Sequence, residues 1–284
     1  MASERGVVIT GTSTGIGAAC ALHLDKLGFC VFAGVRKDAD GDALKQKSSG
    51  RLTPVCIDVT DAATIASAAK TVTAAVGEAG LTGLVNNAAI AVAGPLEFLP
   101  IDDVRQQLEV NVTGQLAVTQ AFLPLLRLAR GRIVNIGSAN GRVAIPFVGL
   151  YSASKFAMEG LTDAMRMELK PWGIEVSIIE AGGIATPIWQ KSTAAADEMI
   201  RNLPERAHEL YGAAIPAFRK AAAREAQKAI SPDIVAQAVT HALVSKKPRT
   251  RYSVGRNASL QVIIARLLPD RFRDGLILRR LGLG

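Results

Sequence analysis

Aromatic residues are scarce in this chain of 284 residues, at only 5% of the total. The core that such a length allows must therefore be built mainly from Ala, Val, Ile and Leu. Cysteine is nearly absent: Cys20, Cys30 and Cys56 stand alone in apolar stretches, with no CxxC spacing. An odd, scattered set argues against a disulfide framework and predicts buried free thiols in a reducing, cytoplasmic setting. His23, His208 and His241 are far apart and show no metal-ligand spacing, so no metal site is expected. No apolar run approaches the ~18 residues that cross a bilayer. The opening "MASERGVVIT" has no apolar segment of signal type, so neither a leader nor a span is expected.

The body of the chain also lacks an excess of either charge. Its first 245 residues carry 23 Lys/Arg against 23 Asp/Glu. The whole net charge of +8 sits in residues 246–284, with ten basic side chains against two acidic ones. A basic surface spread over the body is thereby excluded, and with it a nucleic-acid partner. The tail "LLPDRFRDGLILRRLGLG" alternates apolar residues with arginine. Packing with a solvated charged face is its plainest role; peripheral contact with anionic membrane, a cap on a pocket or a subunit interface are the alternatives.

What is present is a repeated alternation of strand and helix. Near-continuous apolar runs at 6–10, 29–35, 52–58, 81–87, 132–138 and 174–180 read as parallel strands covered on both faces. Helical patterns fall between them at about 15–28, 61–79, 102–129 and 152–170, the second with Thr60 or Asp61 as N-cap. This is the pattern of an α/β, Rossmann-type doubly wound sheet flanked by helices. After Thr186-Pro187 the alternation stops. Residues 187–228 read as Ala-rich helices, 232–245 as a further helix and 250–254 as a last strand. From Leu260, the residues Ile263, Ile264, Leu267 and Leu268 recur at helical spacing.

"TGTSTGIG" (10–17) follows the first strand and opens the first helix. Gly11 permits a tight turn, Gly15 close approach of a phosphate, and Gly17 close packing of helix on strand. The helix N-terminus would supply free N–H groups and a positive dipole end to a pyrophosphate. A lone glycine triplet is weak evidence, but strand before and helix after are the context the motif requires.

With "NNAA" (86–89), Asn111, Ser138 and "YSASK" (151–155), this turn resembles the short-chain dehydrogenase/reductase family. The resemblance runs from about Arg5 to Thr186 and onward to "TRYSV". The retinol, 17β-hydroxysteroid and 3-hydroxybutyrate dehydrogenase branch is the most similar. Two departures stand out: Ala89 where the family has glycine, and Ala181-Gly182 where it has Pro-Gly. Taken singly, each marker has a plainer role. Ser138 is a strand-end turn residue, Asn111 a helix kink, Tyr151 and Lys155 a surface pair. Together they imply a catalytic tetrad.

The resemblance implies that Tyr151 is general acid in carbonyl reduction and, as phenolate, base in alcohol oxidation. Bringing a tyrosine from about 10 toward neutrality needs roughly 4 kcal/mol of preferential phenolate stabilisation. Lys155, one helical turn on, would supply charge and hold the nicotinamide ribose. Ser138 would hold the substrate oxygen, and Asn111 a water relaying protons to Lys155. The cofactor would rest on Gly11, Ser13, Thr14, Gly15, Ile16 and Gly17. Asp58, Val59, Asn87 and Ala88 would line the adenosine side, and Ile184 and Thr186 would meet the carboxamide. At the end of the second strand Val35 replaces the carboxylate that selects NAD, and Arg36 follows. A guanidinium suits a 2′-phosphate, so NADP(H) is favoured, with NAD(H) the alternative.

These pieces form one domain: 5–186 the cofactor-binding and catalytic core, 187–228 a helical substrate lid, 229–259 the last helix and strand, and 260–284 a basic amphipathic tail. Homodimers and homotetramers are common in the family. "VAIPFVGLY", "AIAVAGPLEF" and the lid residues Ile188, Trp189, Met199, Leu203, Leu210, Tyr211 and Phe218 offer apolar walls. They suit a steroid-, retinoid- or lipid-like alcohol or carbonyl. For any one of them, packing as lid core is an equal reading. A hydroxy acid would need a cation, for which Arg142 and Lys191 are the candidates. A non-catalytic NAD(P)-binding regulator is the remaining alternative.

Overall fold

The computed structural model describes residues 5–255 and 267–283. Strands β1 (Gly6–Ile9), β2 (Cys30–Val35), β3 (Leu52–Cys56), β4 (Gly83–Asn86), β5 (Arg132–Ile136), β6 (Glu175–Ala181) and β7 (Arg251–Val254) form one sheet. Their spatial order is β3-β2-β1-β4-β5-β6-β7, and every neighbouring pair is parallel. Parallel neighbours need crossover connections, which helices provide. In chain order these are α1 (Gly15–Lys26), α2 (Asp38–Lys45), α3 (Ala62–Val76), α4 (Ile101–Leu108), α5 (Gly114–Ala129) and α6 (Gly149–Glu168). Then follow α7 (Ile188–Arg201), α8 (Glu205–Tyr211), α9 (Ala214–Gln227), α10 (Asp233–Val244) and α11 (Asp270–Leu281).

Successive strand residues point to opposite faces, so each strand feeds two cores. Ile9 and Val134 pack with Leu24 of α1 and Val239 of α10. Val8 and Ile133 pack with Val72 of α3, Phe122 of α5 and Met165 of α6. Burial on both faces is why the strand sequences carry no polar alternation. The edge strand β3 is the exception: only Leu52 and Val55 are buried there. The expectation of three buried thiols fails as well. Cys20 on α1 is buried, but Cys30 is half-buried and Cys56, on β3, is exposed.

Three segments differ from the sequence pattern. Helix α2 was not expected; it is short, contains Gly41, and buries only Gly41 and Leu44, too few positions to show a period. The expected helix 102–129 is divided by a π-helical turn, Glu109–Thr113. One extra residue in a turn leaves the apolar pattern almost unchanged. Leu260, Ile263 and Ile264 of the expected tail helix lie outside the described residues. Within the tail, α11 meets α9 through Arg280 Nη2, 2.5 Å from Glu225 Oε1.

The chain winds outward from β1 through β2 to β3, then returns to β4 on the other side of β1. That reversal opens a crevice at the carboxyl ends of β1 and β4, where ligands of such sheets bind. The glycine turn leaves β1 there, and Asn87 and Ala88 leave β4.

Candidate active site

The glycine turn has the shape its sequence demands. Gly11 and Gly15 adopt φ of +66° and +61°, a region that favours glycine. A Cβ on Gly11 would stand 2.8 Å from Ala88 Cα, and one on Gly17 would collide with the Gly11 carbonyl and Asn87 Nδ2. Thr14 is the N-cap of α1 but makes no side-chain cap hydrogen bond, and the first turn has no acidic residue. Its leading N–H groups are thus left for an anion. Ser13 and Thr14 are exposed beside them, while Ile16 packs on the core below. A dinucleotide pyrophosphate fits this cradle.

Several of the residues expected at the cofactor also brace the chain. Asn87 Nδ2 donates to the carbonyls of Thr10 and Gly11, both at 2.9 Å. Thr10 Oγ1 accepts the N–H groups of Asn87 and Ala88. Together they tie β1 to β4 at the crevice. Asp58, half-buried at the end of β3, has its carboxyl drawn below the usual range. Burial opposes this, but the Thr60 hydrogen bonds and the nearby Arg36 prevail. Arg36 is exposed at the end of β2 and forms no ion pair among the described residues. Val59 is buried. Ile184 is buried too, and its carbonyl accepts Trp189 Nε1 at 2.8 Å. Thr186 borders the glycine turn: a Cβ on Gly15 would lie 3.1 Å from its Cβ.

The interrupted helix contributes a feature that sequence reasoning missed. Gln107, Asn111 and Gln115 hold the backbone of the segment after β4. The Gln107 side chain accepts from Val92 N, Asn111 exchanges two hydrogen bonds with Ile90, and Gln115 donates to the Ala88 carbonyl. Four helical residues rise about 6 Å and two extended residues about 6.6 Å, so the spacings match. Asn111 Nδ2 also donates to Ser154 Oγ at 3.0 Å, and Ser154 Oγ to the Tyr151 carbonyl. Both N–H groups of the Asn111 carboxamide are therefore committed. Its side chain thereby braces α6.

Ser138, Tyr151 and Lys155 come together at the end of β5. Ser138 follows the strand and caps the short turn Ala139–Gly141 by accepting from Asn140 N. Its hydroxyl stands close enough to the Tyr151 phenol to draw the tyrosine's ionisation down. Tyr151 and Lys155 share the face of α6 that meets this strand end. Lys155 Nζ lies 5.6 Å from the Tyr151 ring centre and donates to the Ile136 carbonyl at 2.8 Å. Lys155 is only 3% exposed, and burial pushes its ammonium down to about 8. Burial likewise holds Tyr151 above its ordinary value, and Ser138 pulls it back only in part. In the chain by itself, burial therefore opposes the acidification expected for Tyr151. Desolvation favours the neutral form of both groups.

Arg142 is no free cation in a pocket. Its guanidinium lies between Glu159 and Glu180, at 3.1 and 2.8 Å. The side chain of Lys191 lies outside the described residues. The lid rests on the segments that flank the site. Phe147, with φ of +64°, packs on Tyr211 and Phe218, and Phe98 on Tyr211. Tyr211 donates to Glu97 at 2.8 Å. Leu203 is buried as lid core, Leu210 is exposed, and Ile188, Trp189 and Met199 are half-buried.

Comparison with known proteins accords with this geometry. A family model described as short chain dehydrogenase matches residues 5–197. Retinol dehydrogenase 5 of Mus musculus is 39% identical, covering 97% of this chain and 88% of that protein. The 17-beta-hydroxysteroid dehydrogenase type 6 of Bos taurus is 36% identical with the same coverage. Among solved structures, a short chain dehydrogenase from Burkholderia cenocepacia J2315 in complex with NADP superposes with a TM-score of 0.70. It is 28% identical and covers 99% of both chains.

Proposed function

The chain belongs to the short-chain dehydrogenase/reductase family, and from that membership we propose that it interconverts a hydrophobic alcohol and its ketone or aldehyde, with NADP(H) in preference to NAD(H). The nicotinamide, when bound, supplies the hydride chemistry and, oxidised, a positive charge. This chain's residues do the rest. Tyr151 carries the proton to or from the reacting oxygen, Ser138 holds that oxygen, and Lys155 holds the ribose and favours the phenolate. Asn111 positions α6 through Ser154. The observation that carries the reading is the group of buried Ser138, half-buried Tyr151 and buried Lys155 at the strand end, beside a glycine cradle with uncommitted N–H groups.

The preference for NADP(H) rests on Arg36, exposed and without an ion pair among the described residues where a carboxylate would select NAD. The hydrophobic substrate rests on the names of the relatives, which act on retinol and hydroxysteroids, and on the aromatic contacts of the lid. The hydroxy-acid alternative is weakened by two charges. Arg142 is held by glutamates, and Glu97 brings a negative charge to the lid contact. No helix among the described residues is long and apolar enough to cross a membrane. On α11, Phe272 and Leu276 are exposed among arginines, which supports peripheral membrane contact.

The test is a fluorescence titration with NADPH and NADH, repeated on Arg36→Asp, together with hydride transfer to a panel of apolar carbonyls. NADPH should bind more tightly to the wild type, and the preference should invert in the variant. Equal preference in both would remove the cofactor assignment. Tyr151→Phe should lower turnover about 10²- to 10⁴-fold while cofactor affinity stays within about twofold. Retained turnover would put the proton donor elsewhere.

A further inference from the structure

Behind the catalytic turn lies a buried cluster of charges that substrate and cofactor binding do not require. Arg142 ends the turn that begins at Ser138. Its Nε donates to Glu180 Oε1 at 2.8 Å, and its Nη2 lies 3.1 Å from Glu159 Oε2. Glu159 stands one helical turn beyond Lys155 on α6. Glu180 is the penultimate residue of β6, just before the segment that runs to Ile184 and Thr186. Arg251 of β7 faces the same carboxylates, 3.0 Å from Glu159 and 3.7 Å from Glu180, and also reaches Asp163 at 2.6 Å. Ser253 donates to Glu180 Oε2 at 2.6 Å, and Arg166 pairs with Asp163.

Three acidic groups thus meet three arginines. The glutamate side chains are almost fully buried, at 1% for Glu180 and 7% for Glu159. Burial raises Glu159, against the pull of Arg142 and Arg251. Such clusters add little net stability, because desolvation offsets the attraction between the charges. Arg142 Nη2 and Glu159 Oε1 even lack a hydrogen-bond partner among the described residues. What a guanidinium held between two carboxylates does supply is direction. Here it joins the segments bearing Ser138, Tyr151 with Lys155, and Ile184 with Thr186. The contact it clamps is tight: a Cβ on Gly141 would stand 2.9 Å from the Lys155 carbonyl.

We propose that Arg142, held between Glu159 and Glu180, is a positioning residue that fixes the Ser138 turn against the Tyr151–Lys155 face of α6. This rests on the catalytic reading above. A shift of about 1 Å in a reacting group lowers rates up to about 100-fold. The variants to compare are Arg142→Met, the near-isosteric Glu180→Gln, and the double variant Arg142→Met/Glu180→Gln, which removes a charge of each sign and so guards against misfolding. Ser138→Ala is the reference, and circular dichroism checks each fold.

Two readings are taken. The first is kcat, KM and NADPH affinity in hydride transfer. The second is the alkaline absorbance titration of Tyr151, measured as the difference from the same protein carrying Tyr151→Phe. Positioning predicts a kcat about 10- to 100-fold lower, with KM and NADPH affinity within about twofold. Tyr151 ionisation should also move upward, as in Ser138→Ala, because the neighbouring Ser138 hydroxyl holds it down. The folded double variant should keep both defects. A folded variant with wild-type kcat and wild-type titration overturns the proposal. So does a loss shared evenly by affinity, KM and kcat, the sign of general loosening. Should the wild type transfer hydride to no carbonyl, the catalytic reading fails, and the titration alone decides the role of Arg142.

Discussion

Replacing Lys155 by methionine should make the cofactor-free protein more stable at neutral pH while removing its activity. The ammonium is buried, and its ordinary value of 10.5 falls to about 8. At about 1.4 kcal/mol per pH unit, holding it charged in the fold costs about 3 kcal/mol at pH 7. Methionine fills a similar volume without charge, but it leaves the Ile136 carbonyl that Lys155 now satisfies. That loss costs about 1–2 kcal/mol, so a net gain of about 1–2 kcal/mol remains. For a chain of this length the unfolding entropy is about 0.6 kcal/mol/K, which makes the gain about 2–3 °C in Tm. The sign changes with pH. Between about 8 and 10.5 the unfolded lysine is protonated and the folded one is not, so wild-type stability rises through that window. The variant has no such rise. Thermal melts of both proteins from pH 7 to pH 11 should therefore give Tm curves that cross within it. Parallel curves, or a variant less stable at pH 7, would refute the argument that desolvation dominates Lys155.

Other substitutions probe the elements that frame the site. Gly17→Ala places a methyl group on the Gly11 carbonyl and Asn87 Nδ2. NADPH affinity should fall at least tenfold, about 1.4 kcal/mol or more, with the circular dichroism spectrum unchanged; undiminished affinity would mean the turn is not the cradle. Asp61 accepts hydrogen bonds from Ala63 N and Thr64 N at the start of α3. Asp61→Ala should lose about 1 kcal/mol and about 2 °C in Tm, without altering turnover; a Tm equal to wild type would discount the cap.

The doubly wound sheet was legible because both faces of most strands are buried, and that burial writes uninterrupted apolar runs into the sequence. The phosphate cradle was legible because a turn at φ of +66° and +61° favours glycine. Where burial was partial, the sequence misled. Cys56 reads like a core residue but lies on an edge strand. Helix α2 has too few buried positions to show a period, and the π turn adds one residue without disturbing the pattern around it.

The amino-acid order alone thus determined the local chemistry: a cradle for an anion, a tyrosine and lysine one turn apart, and strands that must be covered on both sides. Only the tertiary structure decided what those groups do to one another. It committed the carboxamides of Asn87 and Asn111 to bracing backbone, and drew Arg142 away from substrate into a buried cluster with Glu159, Glu180 and Arg251. It also buried the Lys155 ammonium, so that its charge is held at a cost and its ordinary value is pushed down to about 8. The physical reason is that hydrogen bonds and desolvation depend on distance and burial. Partners such as Arg142 and Glu180, 38 residues apart, meet only when β5, α6 and β6 are packed together.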